Sequence, residues 1–416
     1  MKRAALLITA IVLTLASSCT REKEELPYRG TFDEVFIYCG LGYNNLSSAL
    51  KADVQELSEG YLPSISQRRA VLAFCHNLSK SGGYSTPNAP VLIRLYTKGG
   101  AVVRDTVKTY DPGMVSASGE SLNSALADIV HLYPAQRYGM LFSSHATGWV
   151  PPGYTSSRES SGISWMASSP LAQEEENRIY PLTKSVGAQY SYVKSTLHST
   201  EIDIRDFAAA IPVHLDYLIF DACLMGGAEV AWELRGKCDR LVFSPTEILS
   251  NGMVYSTLLG HLMGGDEPEL EEVCKEYYNY YKSQSDSLYQ SASISLVDCS
   301  AVEEVAEAFA DIVTECRTGF DNLDRSSVQA YFYDDKKWYY DLRDAAREAG
   351  ASDGQLARLD SALADCVLYH AETRKFFNLK LERCCGVSAY LPDSRTPKLN
   401  AYYRNLGWNG ATDLLK

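Results

Sequence analysis

The stretch Tyr217 to Gly227, Y-L-I-F-D-A-C-L-M-G-G, decides how this chain folds. Tyr217 to Ala222 is a short, nearly unbroken apolar run, which suits a strand buried on both faces better than a strand with one face in water. Gly226 and Gly227 allow a tight approach, and Val230, Ala231 and Leu234 follow at helical spacing. Strand, reactive turn and helix in that order form one unit of a parallel sheet. Working outward, Val35 to Cys39, Val71 to Cys75, Val91 to Tyr96, Tyr138 to Ser143 and Leu241 to Phe243 are runs of the same kind. Leu46 to Leu57 and Ser121 to Leu132 are amphipathic stretches between them. The alternation predicts a mainly parallel sheet with helices on both faces. The later half is more helical, with Glu303 to Cys316 and Asp341 to Arg347 as examples. Ala292 to Val297 and Gly386 to Leu391 are strand candidates that would extend the same sheet. The expected division is a core over 30–260 and a closely packed C-terminal subdomain over 261–416.

In such a sheet, ligands bind beyond the carboxyl ends of the strands. Two reactive side chains stand there: Cys223 after Tyr217 to Ala222, and His145 after Tyr138 to Ser143 in S-S-H-A-T-G-W. A thiol beside a helix start is drawn toward thiolate, and an imidazole can assist it. Taken singly, each residue would pass for structural; on two strand tips together they suggest a nucleophile and its base. No G-x-S-x-G occurs, so a serine hydrolase of the α/β type is unsupported.

F-D-A-C-L-M-G followed by A-E-V-A-W-E-L resembles the nucleophile block of the clostripain family of cysteine peptidases. Y-P-A-Q-R-Y-G-M-L-F-S-S-H-A-T-G-W resembles that family's histidine block, P-x-x-x-Y-G-L-x-x-x-x-H-G-x-G-W. Further likeness runs through Y-N-N-L-S-S-A-L-K-A-D-V-Q-E-L, K-S-V-G-A-Q, E-I-D-I-R-D-F-A-A-A-I and G-V-S-A-Y-L-P. The resemblance implies a caspase-like three-layer α/β/α sandwich, as in gingipains and legumains, and peptide-bond hydrolysis after Arg or Lys. It implies that Cys223 attacks the carbonyl, that His145 handles the proton, and that the backbone amides of Cys223 and Ala146 hold the oxyanion. Asp221 would enter the pocket for the basic side chain. The chain departs from the family at two places: Ala146 replaces a glycine, and S-N-G-M-V-Y replaces a D-G-W-x-Y-like segment, leaving Asn251 where a second acid is common. A glycine demanded by positive φ could not become alanine without strain. A catalytically silent relative, kept as a surface binding protein, is therefore the alternative. Glu247 is a candidate to compensate for the missing acid, though it reads better as an exposed loop residue. Related peptidases are often nicked between the two blocks, which makes Arg158, Arg178 and Lys184 candidate processing points, and Pro151 to Tyr180 reads as an exposed loop.

The start of the chain is different. Lys2 and Arg3 precede an apolar run from Ala4 to Ala16, then Ser17, Ser18 and Cys19, the order of an export signal over 1–18. Small residues ending in cysteine resemble a bacterial lipobox, with Cys19 acylated and 19–29 as a charged tether; ordinary cleavage before Cys19 is the other reading, since Ala16 stands where lipoboxes carry leucine. The expectation is a lipoprotein at the outer membrane or cell surface, anchored through Cys19. The 416 residues are 46% hydrophobic and carry a net charge of -13 with no Lys/Arg run, which excludes a nucleic-acid surface. Export permits disulfides, yet Cys39, Cys75 and Cys299 end or follow β-like runs and no C-x-x-C occurs, so mostly free thiols are expected. The six other histidines show no ligand spacing and read as surface or capping residues; no cofactor or metal is called for, and the need for calcium and the oligomeric state stay open.

Overall fold

The computed structural model describes residues 25–81, 84–154, 181, 183–184, 189–193, 196–332 and 338–416. Cys19, Arg158 and Arg178 lie outside the described residues. Ten strands form one sheet: β1 (Phe32–Gly42), β2 (Arg69–Ser81), β3 (Tyr84–Pro87), β4 (Val91–Lys98), β5 (Ala101–Thr109), β6 (Ala135–Ser143), β7 (Leu215–Asp221), β8 (Cys238–Phe243), β9 (Ser293–Asp298) and β10 (Val367–Glu372). Their lateral order is β10-β9-β8-β7-β6-β1-β2-β4-β5, with β3 folded back onto β2. The central five, from β8 to β2, are parallel, and every pairing outside them is antiparallel. Strand β1 is buried at all but one of its eleven positions, as its apolar run requires.

The helices packed around this sheet include α1 (Ser47–Leu57), α2 (Gly119–Leu132), α3 (Ile204–Ala210), α4 (Ala228–Leu234), α5 (Tyr255–Met263), α6 (Leu270–Lys282), α7 (Val302–Glu315) and α8 (Asp353–Cys366). Contacts link α1 to α5 and α5 to α6 on one side of the sheet, and α2 to α3, α3 to α4 and α4 to α7 on the other. This is the expected three-layer α/β/α sandwich. Local chemistry sets the helix starts. Ser118 accepts from the Ser121 amide, Asp203 from the Arg205 amide, and Ser352 with Gln355 closes a capping box.

Strands β9 and β10, both beyond residue 260, complete the sheet begun by the first half, and one apolar core spans both halves. Gly386 to Leu391 does not join that sheet: Ser388 and Ala389 pair instead with Asp341 and Tyr340. The true edge strand β10 has one exposed face, so its alternating V-L-Y-H-A-E lacks the apolar run that marks the central strands. His76 is fully buried rather than on the surface. Its Nδ1 lies 2.6 Å from Ser116 Oγ, and burial lowers its pKa to about 4.

Helix α4 carries a buried carboxylate, Glu229, whose Oε1 accepts from the Tyr390 amide at 2.8 Å. Desolvation raises its pKa to about 7. The folded state thus keeps a proton that an unfolded chain releases near 4.5, so this group's stabilisation is complete below that value and is lost as pH rises through 7. Unfolding free energy is expected to fall by about 1–3 kcal/mol between pH 5 and 8, with Glu34 contributing in the same sense, and Glu229→Gln should flatten the slope. Denaturant titrations at the two pH values check this.

Candidate active site

Strands β6 and β7 lie side by side in parallel, with Ser143 opposite Asp221. Because both strands stop there, the chain segments bearing His145 and Cys223 leave the sheet at adjacent tips. Immediately after Cys223 the backbone turns sharply. Leu224 adopts φ 61°, a left-handed conformation costly for a branched side chain, and its amide bonds Thr246 O at 2.9 Å. Gly226 lies so close to Ser244 and Pro245 that a Cβ would collide with their backbone, which accounts for glycine at that position.

Cys223 is fully buried. Its Sγ accepts from the Ile248 amide at 3.0 Å and lies 3.4 Å from Ile248 O. Burial pushes the thiol well above its usual range, and the nearby Glu247 carboxylate adds to this. The expected thiolate beside a helix start meets an opposing effect here: α4 begins at Ala228, and it is burial that dominates the thiol. Glu247 is likewise buried, at 2% exposure, rather than an exposed loop residue. His145 is buried too, with Nε2 2.6 Å from Oδ1 of Asn45 in the loop after β1. A proton on Nε2 would let the ring donate to that oxygen.

Ala146 is not among the described non-glycine residues with positive φ, which are Leu224, Phe377 and Asp413. Alanine therefore sits there without the strain the sequence raised. Its amide donates to Lys184 O at 3.2 Å. The neighbouring backbone continues the pattern: the Lys184 amide bonds Ile248 O at 2.8 Å, and Thr183 bridges Leu249 in antiparallel fashion.

The Lys184 side chain, a candidate processing point, is fully buried. Its Nζ pairs with Asp221 Oδ2, bonds Ser143 Oγ at 2.9 Å and stands 3.7 Å from Asp53 Oδ2. Burial alone would lower this ammonium, but Asp221 and Asp53 outweigh it and hold the pKa above the ordinary lysine value. Asp221 Oδ2 also accepts from Tyr255 OH, and Tyr38 OH donates to Asp53 at 3.2 Å. Asp53 itself is raised to about 7, by desolvation first.

Asn251 is exposed, and Gly252 is the residue of that turn packed against Asp221 and Lys184. With φ +67°, a Cβ on Gly252 would come within 2.7 Å of Lys184 Nζ. The second carboxylate beside the Lys184 ammonium is Asp53, from α1. Sequence reasoning passed over it, together with Ser143 and Tyr255. A signal existed: Asp53 follows Leu50 by three and sits beside Val54 on the apolar stripe of α1, where an unpaired carboxylate would be costly. The two halves of the chain meet at this site as well, since Tyr339 OH donates to Thr147 O at 2.6 Å. Among the described residues, no group of three or more His, Cys, Asp or Glu is arranged to hold a metal, and no helix is long and apolar enough to cross a membrane.

The same architecture occurs in solved structures. An inactive zymogen C11 protease from Parabacteroides distasonis is 25% identical, with a TM-score of 0.72 over 92% of this chain and 99% of its own. A secreted C11 cysteine protease from Bacteroides thetaiotaomicron, in complex with an irreversible peptide inhibitor, is 21% identical, with a TM-score of 0.71 over 92% and 99%. The protease from that organism called iotapain is also 21% identical, with a TM-score of 0.70 over 93% and 100%. No curated protein sequence is significantly similar. The clostripain family model matches residues 194–411, more than half of the chain and including the Cys223 turn, and on that match the chain belongs to the clostripain family of cysteine peptidases.

Proposed function

We propose that this peptidase is an endopeptidase that cuts after lysine or arginine by a Cys223 and His145 dyad, and that the uncut chain is its latent form. The observation that carries the reading is the environment of Lys184. This residue lies as a bound substrate would: its ammonium is buried between two carboxylates, its amide and Thr183 pair with Ile248 and Leu249, and its carbonyl accepts from Ala146 beside His145. A pocket that holds one buried ammonium this way is chemically suited to a basic side chain before the cleaved bond.

The oxyanion of the tetrahedral intermediate would be held by the amides of Ala146 and Cys223 while His145 supplies the proton to the leaving amine. Burial of Lys184 also bears on processing. An external protease cannot reach a fully buried side chain, so a cut after Lys184 would come from the chain's own centre. The Parabacteroides relative is described as an inactive zymogen, and the protonated, enclosed Cys223 fits a latent state here. The Bacteroides relatives are described as secreted, in keeping with export of this chain; a lipid on Cys19 is proposed from the order of residues before it.

Incubation of the chain followed by mass spectrometry should find a new N-terminus at Ser185, accompanied by turnover of fluorogenic peptides with Lys or Arg before the cut. A chain that never gains turnover, even when produced as two co-expressed pieces that end at Lys184 and begin at Ser185, would point to the silent binding protein instead. Since Ala146 needs no positive φ, Ala146→Gly is expected to change kcat/KM by less than about threefold. A gain of a hundredfold would mean that alanine had been holding the oxyanion donor out of place.

A further inference from the structure

We infer that the cavity on the opposite face of the sheet from Lys184 is the binding site for the side chain immediately after the cleaved bond, and that it takes a large apolar one such as leucine or phenylalanine. This rests on the endopeptidase reading above. The carbonyl of Lys184 at the Ala146 amide fixes where the scissile bond lies, and the leaving amine must face His145 to receive its proton. The residue after the cut therefore sits against the loop bearing His145.

Successive side chains of an extended peptide point to opposite sides. Lys184 points toward Ser143 and Asp221, so the next side chain points toward the face where Phe142 and Phe220 lie, one position earlier on the same two strands. A cavity opens there. Its lining joins His145 and Ala146 to Phe142, Phe220, Phe207 and Met225, with an empty volume of about 690 Å3, part of it open to solvent. The three phenylalanine rings pack with centroids 4.9, 5.5 and 6.1 Å apart, giving a preformed apolar floor. Glu201 stands in the wall, where it accepts from the Gly153 amide at 2.9 Å. An acidic side chain entering this cavity would lose its hydration and meet that carboxylate, so Asp is the residue disfavoured most.

The test uses the processed protein with internally quenched peptides that keep Lys before the cut and carry Leu, Phe, Ala, Ser or Asp after it. Hydrophobic pockets discriminate by about 10–200-fold, and kcat/KM for Leu and Phe is expected to exceed that for Ser and Asp by at least about tenfold. Ile202, also in the wall, offers a variant: Ile202→Asp should bring the Leu to Ser ratio close to one. Ala117→Phe, which narrows the cavity, should shift preference toward Ala. Each ratio comes from one preparation, so a partly misfolded variant cannot imitate the result. Equal rates across the series in the unaltered protein would overturn the inference. A peptidyl-lysyl chloromethyl ketone, which has no residue after the lysine, separates the two failures. If it labels Cys223 while the series stays flat, the cavity assignment fails alone; if it labels nothing and no peptide is cut, the endopeptidase reading fails and this inference with it.

Discussion

Cys223→Ala is expected to lower peptide turnover by about 10^4- to 10^6-fold and to leave the chain uncut after Lys184, because the proposed route forms the acyl bond on this sulfur. Losing a nucleophile removes the whole covalent route, so what survives is only the positioning of substrate and the amide donors. The loss is not a folding effect. Cys223 contributes a buried sulfur bonded to the Ile248 amide, worth about 1 kcal/mol, too little to unfold a core of this size. Turnover by purified enzyme and intact mass together decide it: a variant that still processes itself, or keeps a tenth of the activity, would remove Cys223 from the chemistry.

Asp221→Ala carries the second large effect, this time on stability as well as rate. In the uncut chain it leaves the Lys184 ammonium fully buried with Asp53 as its remaining carboxylate, at 3.7 Å. Removing one partner of a buried pair costs about 3–5 kcal/mol, mostly as the penalty of the stranded charge. Denaturant unfolding of uncut protein reads that loss. Adding Lys184→Met should recover much of it, because the stranded charge is then gone; failure of the double variant to recover would mean that Asp221 supports the fold by some route other than the pair. In the processed enzyme Asp221→Ala should also reduce kcat/KM for lysyl peptides by roughly 10^2- to 10^3-fold, by the same energy scale.

The parallel centre of the sheet was legible because strands buried on both faces leave apolar runs that survive reading without an alignment. The edges were not. Strand β10 has alternating exposure, and Ser388 and Ala389 form a strand of two residues whose apolar neighbours serve a different contact. Cys223 and His145 stood out because both come just after such runs. The acidic pocket was half visible: Asp221 shares the Cys223 turn, whereas Asp53 comes from a helix about 170 residues earlier, and only the packing of α1 on the sheet brings it in. Asn251 is exposed, whereas its neighbour Gly252, with no side chain, is what leaves room for the Lys184 ammonium beside Asp221.

A cut after Lys184 would fall between neighbouring strands of one sheet: β6 belongs to the first 184 residues, β7 to the remaining 232, and the two pair from Gly139 opposite Tyr217 to Ser143 opposite Asp221. The products would therefore stay together as a two-chain particle, separating on a denaturing gel but not in a sizing column. Once apart, the fragments could rejoin only by meeting in solution. Recovery from unfolding, a private matter for the single chain, would become subject to mass action and depend on concentration after maturation.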